Sequence, residues 1–260
     1  MVPAKLRVRK ADWLCNSHRM HFIRHLNGSG YRWIRMKLMS HRHSLELKLS
    51  SWDSRYEVEL QNFSECGDEG EIWFGRNAEK RIIDFVVSNV PTTASILDLG
   101  CGNGSVLRRL RSSGYTQLTG VDYCPAAIEL ANRISENEQH KTNISFKVVD
   151  ILSSGSKDAF SNHYDVVLDK GTWDAISLSS DRDARLIAYR NAVVAALRTS
   201  GQFVIFSCNF TTEELCKFFG DGSALIFHCE IPASHTFSFG GRQGVTSTGV
   251  VFRKIDEIIM

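Results

Sequence analysis

The chain has 260 residues, of which 43% are hydrophobic and 23% are charged, and its formal net charge is +2. This length and apolar content suffice for one large α/β domain, and no apolar run approaches the ~18 residues that a membrane-spanning helix needs, which argues against an integral membrane protein. The charge is uneven, because residues 1–50 carry eleven Lys or Arg against two acids, whereas the rest carries 20 basic and 27 acidic side chains.

The seven cysteines are scattered along the chain and form no CxxC pair; they lie at positions 15, 66, 101, 124, 208, 216 and 229. No histidine stands at metal-ligand spacing from them. In a chain of this length such cysteines are typical of reduced core residues rather than of a disulfide framework. We therefore expect an intracellular protein without a metal site.

The basic leader, residues 1–50, has no sustained period of 2 or 3.6 in its apolar residues. We expect a disordered or poorly packed extension that precedes a catalytic domain at residues 51–260. Two alternatives stay open. One is a mitochondrial transit peptide, because the stretch is rich in Arg and poor in acids. The other is a nucleic-acid-binding arm, because aromatic residues are interleaved with basic ones.

Order is expected to begin near Trp52, where residues 52–60 form a helix candidate. An acidic, glycine-punctuated stretch follows at 67–75. Asn77 is a candidate N-cap for the next helix, which Pro91 closes. The apolar run at 96–99 predicts a buried strand, and the glycine-rich turn after it leads into another helix candidate at 105–111.

The remaining elements alternate between strands and helices. Pro125 stands at the expected first position of one helix, and Gly201 is the expected stop signal of another. The predicted strands are 117–121, 144–149, 164–168, 202–207, 224–229 and 248–253, and the predicted helices are those starting at Pro125, 182–198 and 211–219. This order predicts a doubly wound, seven-stranded α/β sheet that is mostly parallel. The last two strands have no helix between them, so we expect the last strand to be antiparallel.

Four successive predicted strands end at an aspartate, namely Asp98, Asp122, Asp150 and Asp169. Ligands of such sheets bind outside the carboxyl ends of the strands, where these side chains should meet. Any single one of them has the alternative role of capping the helix that follows. Four in succession favour a functional use for at least two.

The glycine spacing indicates which class of ligand is bound. Gly100, Gly102 and Gly104 allow the backbone to approach a ligand closely. The dinucleotide pattern GxGxxG fails, because Ser105 takes the place of its third glycine, and no GxxxxGK[ST] loop is present. A phosphate-free ligand whose ammonium, ribose hydroxyls and adenine amine all seek acceptors suits the four carboxylates. S-adenosylmethionine is such a ligand.

The DLGCGNG motif at 98–104, with VDY at 121–123, resembles the seven-strand S-adenosylmethionine-dependent methyltransferases with their Rossmann-like fold. Further blocks are similar to the protein-lysine methyltransferases that modify translation elongation factor 1-alpha, in the branch of elongation factor 1-alpha lysine methyltransferase 2. These blocks lie at 57–60, 67–75, 169–178, 207–209 and 237–242. The resemblance covers about residues 52–254 and leaves residues 1–50 outside it.

The resemblance implies how the cofactor is held. Asp98 accepts from the methionine ammonium while the three glycines approach the cofactor, and Asp122 accepts from both ribose hydroxyls. The residues implied to bind the cofactor are Trp73, Asp98, Gly100, Gly102, Gly104, Asp122, Tyr123, Asp150 and Ile151. For Asp122 and Asp150, helix capping remains an alternative.

The resemblance also implies how the substrate is held. Asp169 is the catalytic candidate, which orients the substrate lysine as it enters and loses its proton. Trp173 and Asn209 line the channel, because aromatic faces accommodate cations. Phe239 lies in a glycine-hinged loop, 237–242, that contacts the substrate. Helix capping is the alternative role of Asp169.

The resulting hypothesis is a cytoplasmic S-adenosylmethionine-dependent protein-lysine N-methyltransferase acting on elongation factor 1-alpha. A nuclear location and mitochondrial targeting by the leader stay open. The alternatives are a small-molecule or RNA methyltransferase on the same fold, since fold and cofactor do not select the acceptor, and a non-catalytic cofactor-binding module. We expect no membrane, metal or nucleic-acid partner.

Overall fold

The computed structural model describes residues 24–27, 30–33, 43–138, 143–153, 164–222, 224–233, 237–239, 242–244 and 246–255. Side chains are described from residue 52 onward, except those of 237–239 and 242–244. The chain divides into two compact units, Met1–Met39 and Ser40–Met260. In the first, Arg24–Asn27 (β1) pairs antiparallel with Gly30–Trp33 (β2). Most of the leader predicted to be disordered or poorly packed lies outside the described residues.

The second unit alternates helices and strands. Its helices are α1 (His43–Cys66), α2 (Gly75–Asn89), α3 (Ser105–Ser112), α4 (Pro125–Asn137), α5 (Thr172–Ser177), α6 (Arg182–Ala196) and α7 (Thr212–Phe219). Its strands are β3 (Ser95–Leu99), β4 (Gln117–Asp122), β5 (Ser145–Val148), β6 (Tyr164–Lys170), β7 (Leu197–Ser207), β8 (Leu225–Glu230), β9 (Phe237–Phe239), β10 (Arg242–Gly244) and β11 (Thr248–Lys254).

Seven of these strands form one sheet in the order β5-β4-β3-β6-β7-β11-β8. Neighbouring strands from β5 to β7 are parallel, and β11 is antiparallel to both β7 and β8. The short strands β9 and β10 pair separately with each other. The predicted fold class is therefore confirmed, including the antiparallel last strand.

The two faces of the sheet bury different side chains, because consecutive strand residues point to opposite faces. On one face, Ile96 and Leu168 pack with Val86 of α2. On the other face, Leu97 and Val167 pack with residues of α6 and α7. The register pairs Asp98 with Leu168 and Leu99 with Asp169. Asp98 therefore belongs to the α2 face, whereas Asp169 belongs to the α6 face.

Two predicted helix starts are confirmed. Pro125 is the first residue of α4. Thr211 caps α7 and forms a reciprocal capping box with Glu214. Both outcomes follow from local chemistry, since Pro needs no N–H partner at that position and the threonine oxygen accepts an otherwise free N–H.

Two predicted helix ends are wrong. Asn77 does not cap α2, which begins after Phe74, a residue at φ 65° without a side-chain cap. The helix expected to reach residue 198 ends at Ala196, because Leu197 already pairs with Tyr164 of β6. Gly201 lies inside β7, where an added Cβ would come within 3.0 Å of backbone oxygens. Strand pairing has therefore overridden the helical period of this segment.

Candidate active site

The turn between β3 and α3 is the centre of the candidate site. Gly100, Gly102 and Gly104 have φ angles of 66°, 52° and 72°, all in the left-handed region. Residues with a Cβ atom rarely adopt this conformation, so the turn requires glycine three times. The Cys101 N–H donates to the Val121 carbonyl at 3.0 Å, which ties the turn to β4.

Side chains from three other elements close over this turn. A Cβ atom added at any of the three glycines would lie within 3.0 Å of one of them. From α5, α1 and β5, respectively, these side chains are Thr172, Tyr56 and Phe146. The three glycines therefore form a tight cradle, in which these side chains pack directly against the backbone of the turn.

Asp122 is the last residue of β4, and it is buried. One carboxylate oxygen accepts the Gly102 N–H at 3.1 Å, and the other accepts the Cys124 N–H at 3.0 Å. Each carboxylate oxygen can accept a further bond, so both remain available to hydroxyl groups. Burial raises the pKa of Asp122, against the effect of these backbone donors. Asp122 thus orders the residue that precedes α4, and its contact with the ribose hydroxyls stays a prediction.

Asp98 lies on the α2 face of the sheet and is 3% exposed. Burial raises its pKa to about 8, and the positive charge of Lys170 opposes this shift. Lys170 is the last residue of β6, and its ammonium donates to the Trp73 carbonyl at 3.0 Å. Lys170 therefore interacts with two predicted cofactor residues, through its charge with Asp98 and through a hydrogen bond with the carbonyl of Trp73.

Trp73 precedes α2 and packs edge-on against Trp52 of α1, with ring centroids 4.6 Å apart. The Arg55 guanidinium lies over the Trp73 ring at 4.3 Å, a cation–π contact. The indole Nε1 of Trp73 is buried and has no hydrogen-bond partner within the described residues. This donor is thus available to a ligand.

Helix α1 contributes site residues that the sequence reasoning missed. Tyr56 packs against Gly102, and its pKa is raised by burial and by the charge of Asp122. Asp53 stands one helical turn earlier, near Asp122, and its Oδ1 is buried without a hydrogen-bond partner within the described residues. The spacing of Trp52 and Tyr56, four residues apart on one helix, was the signal that could have placed α1 at the site.

The predicted adenine and ribose residues lie at the ends of β4 and β5. Tyr123 is 37% exposed and Ile151 is buried. Asp150 is exposed, and its carboxylate accepts the Leu152 N–H at 2.9 Å in a local turn. The Val149 N–H donates to the Asp122 carbonyl at 2.9 Å and so joins the two strand ends. Asp150 thus stabilises a local turn, and its contact with adenine stays a prediction.

Asp169 is fully buried on the α6 face of the sheet. Its carboxylate accepts the Thr172 N–H at 2.8 Å, the Trp173 N–H at 2.9 Å and the Tyr189 hydroxyl. Burial raises its pKa to about 7, and these donors oppose the shift. The carboxylate caps α5 and is closed off by its own neighbours. Direct contact of Asp169 with a substrate lysine therefore stays a prediction, for which these bonds would have to open.

Trp173 is also enclosed rather than lining an open channel. It is 1% exposed, and its ring packs against Tyr189, Phe218 and Phe219. Its Nε1 is buried without a hydrogen-bond partner within the described residues. A substrate role for Trp173 stays a prediction, whereas its role in the aromatic core is observed.

Asn209, by contrast, is exposed at the end of β7. Its N–H donates to Ser207 Oγ at 3.1 Å, and that hydroxyl donates to Asp174 Oδ1 at 2.5 Å. The second oxygen of Asp174 accepts the Cys208 N–H at 2.7 Å. Asp174, which sequence reasoning did not single out, thus fixes the loop that presents Asn209.

Other predicted features are less informative. The backbone of Phe239 lies in β9, but its side chain lies outside the described residues. Within the described part of the chain, no three His, Cys, Asp or Glu side chains are grouped so as to hold a metal ion. No helix among the described residues is long and apolar enough to cross a bilayer.

These residues fit S-adenosylmethionine. Asp98 and Asp122 offer acceptors on the neighbouring strands β3 and β4, beside the glycine turn. Trp73 Nε1 and Asp53 Oδ1, which have no hydrogen-bond partner within the described residues, add a donor and an acceptor. A cofactor with an ammonium group and two ribose hydroxyls can donate to acceptors of this kind, whereas a pyrophosphate offers them no donor.

Comparisons with known proteins agree with this geometry. The family described as "Methyltransferase domain" matches residues 92–235. The human protein named EEF1A lysine methyltransferase 2 is 41% identical over 206 residues, which are 78% of this chain and 84% of that protein. The protein-lysine N-methyltransferase EFM4 of Saccharomyces cerevisiae is 38% identical over 216 residues, covering 78% of this chain and 92% of the yeast protein.

Among solved structures, the N-methyltransferase NodS of Bradyrhizobium japonicum in complex with S-adenosylhomocysteine has a TM-score of 0.57. It is 17% identical, and the match covers 78% of this chain and 98% of NodS. At that identity the likeness concerns the fold alone.

Proposed function

Because this chain belongs to the EEF1A lysine methyltransferase 2 family, we propose that it methylates a lysine side chain of translation elongation factor 1-alpha. The chain is an S-adenosylmethionine-dependent protein-lysine N-methyltransferase, and the proposal concerns its protein substrate. We place the reaction in the cytoplasm, where elongation factors act.

One observation carries the proposal. The identity of about 40% extends over most of the length of the human and zebrafish proteins named EEF1A lysine methyltransferase 2 and of a yeast protein-lysine N-methyltransferase. It is not limited to the glycine turn, which would mark only the cofactor. The matched regions therefore extend well beyond the cofactor turn.

The chain's own residues would hold the cofactor from three sides. Asp98 would accept from its ammonium and Asp122 from its ribose hydroxyls, and Trp73 would border it with an indole N–H that has no partner within the described residues. Tyr56 of α1 packs against Gly102 of the glycine turn. When bound, S-adenosylmethionine supplies an electrophilic methyl group.

The acceptor lysine must enter as a neutral amine. A free lysine has a pKa near 10.4, so roughly one in a few thousand is neutral at pH 7. Desolvation in a buried channel lowers the pKa of a lysine and favours loss of its proton. Correct positioning of the amine in line with the methyl group then supplies much of the acceleration.

We assign the positioning of this amine to the loops after β6 and β7. Asn209 offers a side-chain oxygen at the exposed end of β7, and Asp174 holds its loop through Ser207. The Asp169 carboxylate accepts the first N–H groups of α5 and so fixes the start of this helix. Asp169 would therefore position the amine indirectly, through the loops, and would contact the substrate itself only if these hydrogen bonds were broken.

The test is transfer of labelled methyl groups from S-adenosylmethionine to purified elongation factor 1-alpha, with mass spectrometry to locate the modified lysine. Asp98→Asn and Asp122→Asn should each weaken cofactor binding by about 10- to 100-fold, the usual effect of one hydrogen bond to a charged group. Asp84→Asn is the matched control, because Asp84 is exposed and pairs only with Lys80 of the same helix among the contacts described.

The outcomes separate substrate from cofactor. Labelling of elongation factor 1-alpha by the wild type and by Asp84→Asn, but not by the two site variants, supports the proposal. Binding of cofactor without any transfer to this protein would contradict the substrate assignment. Elongation factor 1-alpha from cells that lack the enzyme should lose the same methyl group in its mass spectrum.

A further inference from the structure

The strand register places a half-buried cation on the same sheet face as the residue expected to receive the cofactor's ammonium group. Asp98 is paired with Leu168, and Lys170 lies two residues further along the same strand. Residues two apart on a strand point to the same face, so Lys170 and Asp98 both point towards α2. Glu79 of α2 is fully buried at this face.

Lys170 is held in place by few contacts. Its ammonium donates to the Trp73 carbonyl, at the start of α2. Its pKa is lowered by burial, while the negative charges of Glu79, Asp98 and Asp169 raise it. A partly buried lysine that has a carbonyl oxygen as its hydrogen-bond partner depends on nearby carboxylates to compensate for its desolvation.

Asp98 interacts electrostatically with charged groups on three neighbouring elements. These are Lys170 and Asp169 of β6, Asp122 of β4 and Glu79 of α2, of which Asp169 lies on the opposite face of the sheet. Cys101 of the turn and Tyr189 of α6 also interact with it electrostatically, and burial keeps the pKa of both well above its usual value.

One carboxylate oxygen of Glu79 already has hydrogen-bond and ion-pair partners. Its Oε1 accepts from Ser105 Oγ at 3.0 Å and from Arg109 Nε at 2.8 Å. The positive charge of Lys170 favours the ionised form of Asp98, whereas burial and the charges of Asp169, Glu79 and Asp122 disfavour it.

We propose that Lys170 is a positioning residue for the cofactor, whose charge favours the ionised form of the Asp98 carboxyl group that receives the cofactor's ammonium group. The Trp73 carbonyl fixes the place of the lysine charge, and Lys170 does not itself touch the reacting atoms. This inference rests on the proposed function in one respect, the binding of the ammonium group by Asp98.

Two ligands distinguish this role from general support of the fold. S-adenosylhomocysteine carries the ammonium group, whereas 5′-methylthioadenosine has the same nucleoside and lacks the whole amino-acid part. Calorimetry with Lys170→Met should give at least about a tenfold loss of affinity for S-adenosylhomocysteine at pH 7, since a neighbouring charge shifts a pKa by about one unit or more. Affinity for 5′-methylthioadenosine should change less than about twofold.

Lys170→Arg keeps the charge and should retain the wild-type preference between the two ligands. In an Asp98→Asn background, Lys170→Met should have no further effect on S-adenosylhomocysteine affinity, because the carboxylate has been removed. Equal losses for both ligands, or equal losses in Lys170→Met and Lys170→Arg, would overturn the proposal and leave Lys170 as a scaffold residue.

The wild type provides a second measurement in case Lys170→Met does not fold. Since burial sets the pKa of Asp98 at about 8, affinity for S-adenosylhomocysteine should rise with pH between 6 and 8, by up to about tenfold per unit. The affinity for 5′-methylthioadenosine should stay flat, and a flat profile for both ligands overturns the proposal. None of these assays uses elongation factor 1-alpha, so failure of the substrate assignment is detected separately.

Discussion

Replacing Gly102 by alanine tests the geometry of the cradle most directly. Gly102 has φ 52°, where an alanine is strained by about 1–2 kcal/mol. The added Cβ would also lie within 3.0 Å of the Tyr56 hydroxyl oxygen. Tyr56 is buried and packs against Ala127 and Leu130 of α4, so it cannot move aside freely.

The magnitude follows from these two effects. Overpacking of a buried site costs about 1–3 kcal/mol, so Gly102→Ala should lower the free energy of unfolding by about 2–5 kcal/mol in total. In a Tyr56→Phe background the hydroxyl is absent, and the next atom, Cζ, is 3.3 Å from the new Cβ. Most of the overpacking should then disappear, which leaves the backbone strain.

Urea unfolding measures the stability of each variant, and calorimetry measures its affinity for S-adenosylhomocysteine. Gly222→Ala is the matched control, because Gly222 has φ +78° and a Cβ there would meet no atom within 4 Å. The control should lose about 1–2 kcal/mol and keep its affinity, whereas Gly102→Ala should lose more than tenfold in affinity. If Gly102→Ala behaves like the control in both assays, the reasoning about the cradle is wrong.

Three further results are expected. Burial raises the pKa of Asp98 to about 8, so the stability of the cofactor-free protein should fall as pH rises from 5 to 8, and urea unfolding of Asp98→Asn should give a smaller fall. Thr211→Ala removes the capping box with Glu214 and should cost about 1 kcal/mol in the same assay, with no change in cofactor affinity. Tyr189→Phe leaves buried Asp169 without its hydroxyl donor and should cost about 1–3 kcal/mol of stability, while cofactor affinity measured by calorimetry stays at the wild-type level.

The cradle could be predicted from sequence because its chemistry is local. The glycines of the turn follow directly on a buried apolar run, and each sits at a left-handed φ that other residues avoid. The order of alternating strands and helices likewise follows from short-range periodicity and from stop signals such as Pro91.

The surroundings of the cradle could not be predicted because they depend on contacts between distant segments. Asp53 and Tyr56 reach the site only because α1 packs on α4. Asp169 was assigned to an incoming lysine, and the sequence contains no sign that the hydroxyl of Tyr189, 20 residues later, occupies its carboxylate. The end of α6 was misplaced for the same reason, since pairing with β6 determines it.

The position of β11 inside the sheet has a consequence for biosynthesis. Within the described residues, β8 pairs with no strand other than β11, and β11 follows it in the chain. When the chain has emerged from the ribosome as far as β8, every parallel strand of the sheet is present but β11 is not. At that stage β8 has no strand beside it, and the apolar residues of β7 lack the neighbouring strand β11. Because domains fold as their segments emerge, completion of this sheet must await the emergence of β11.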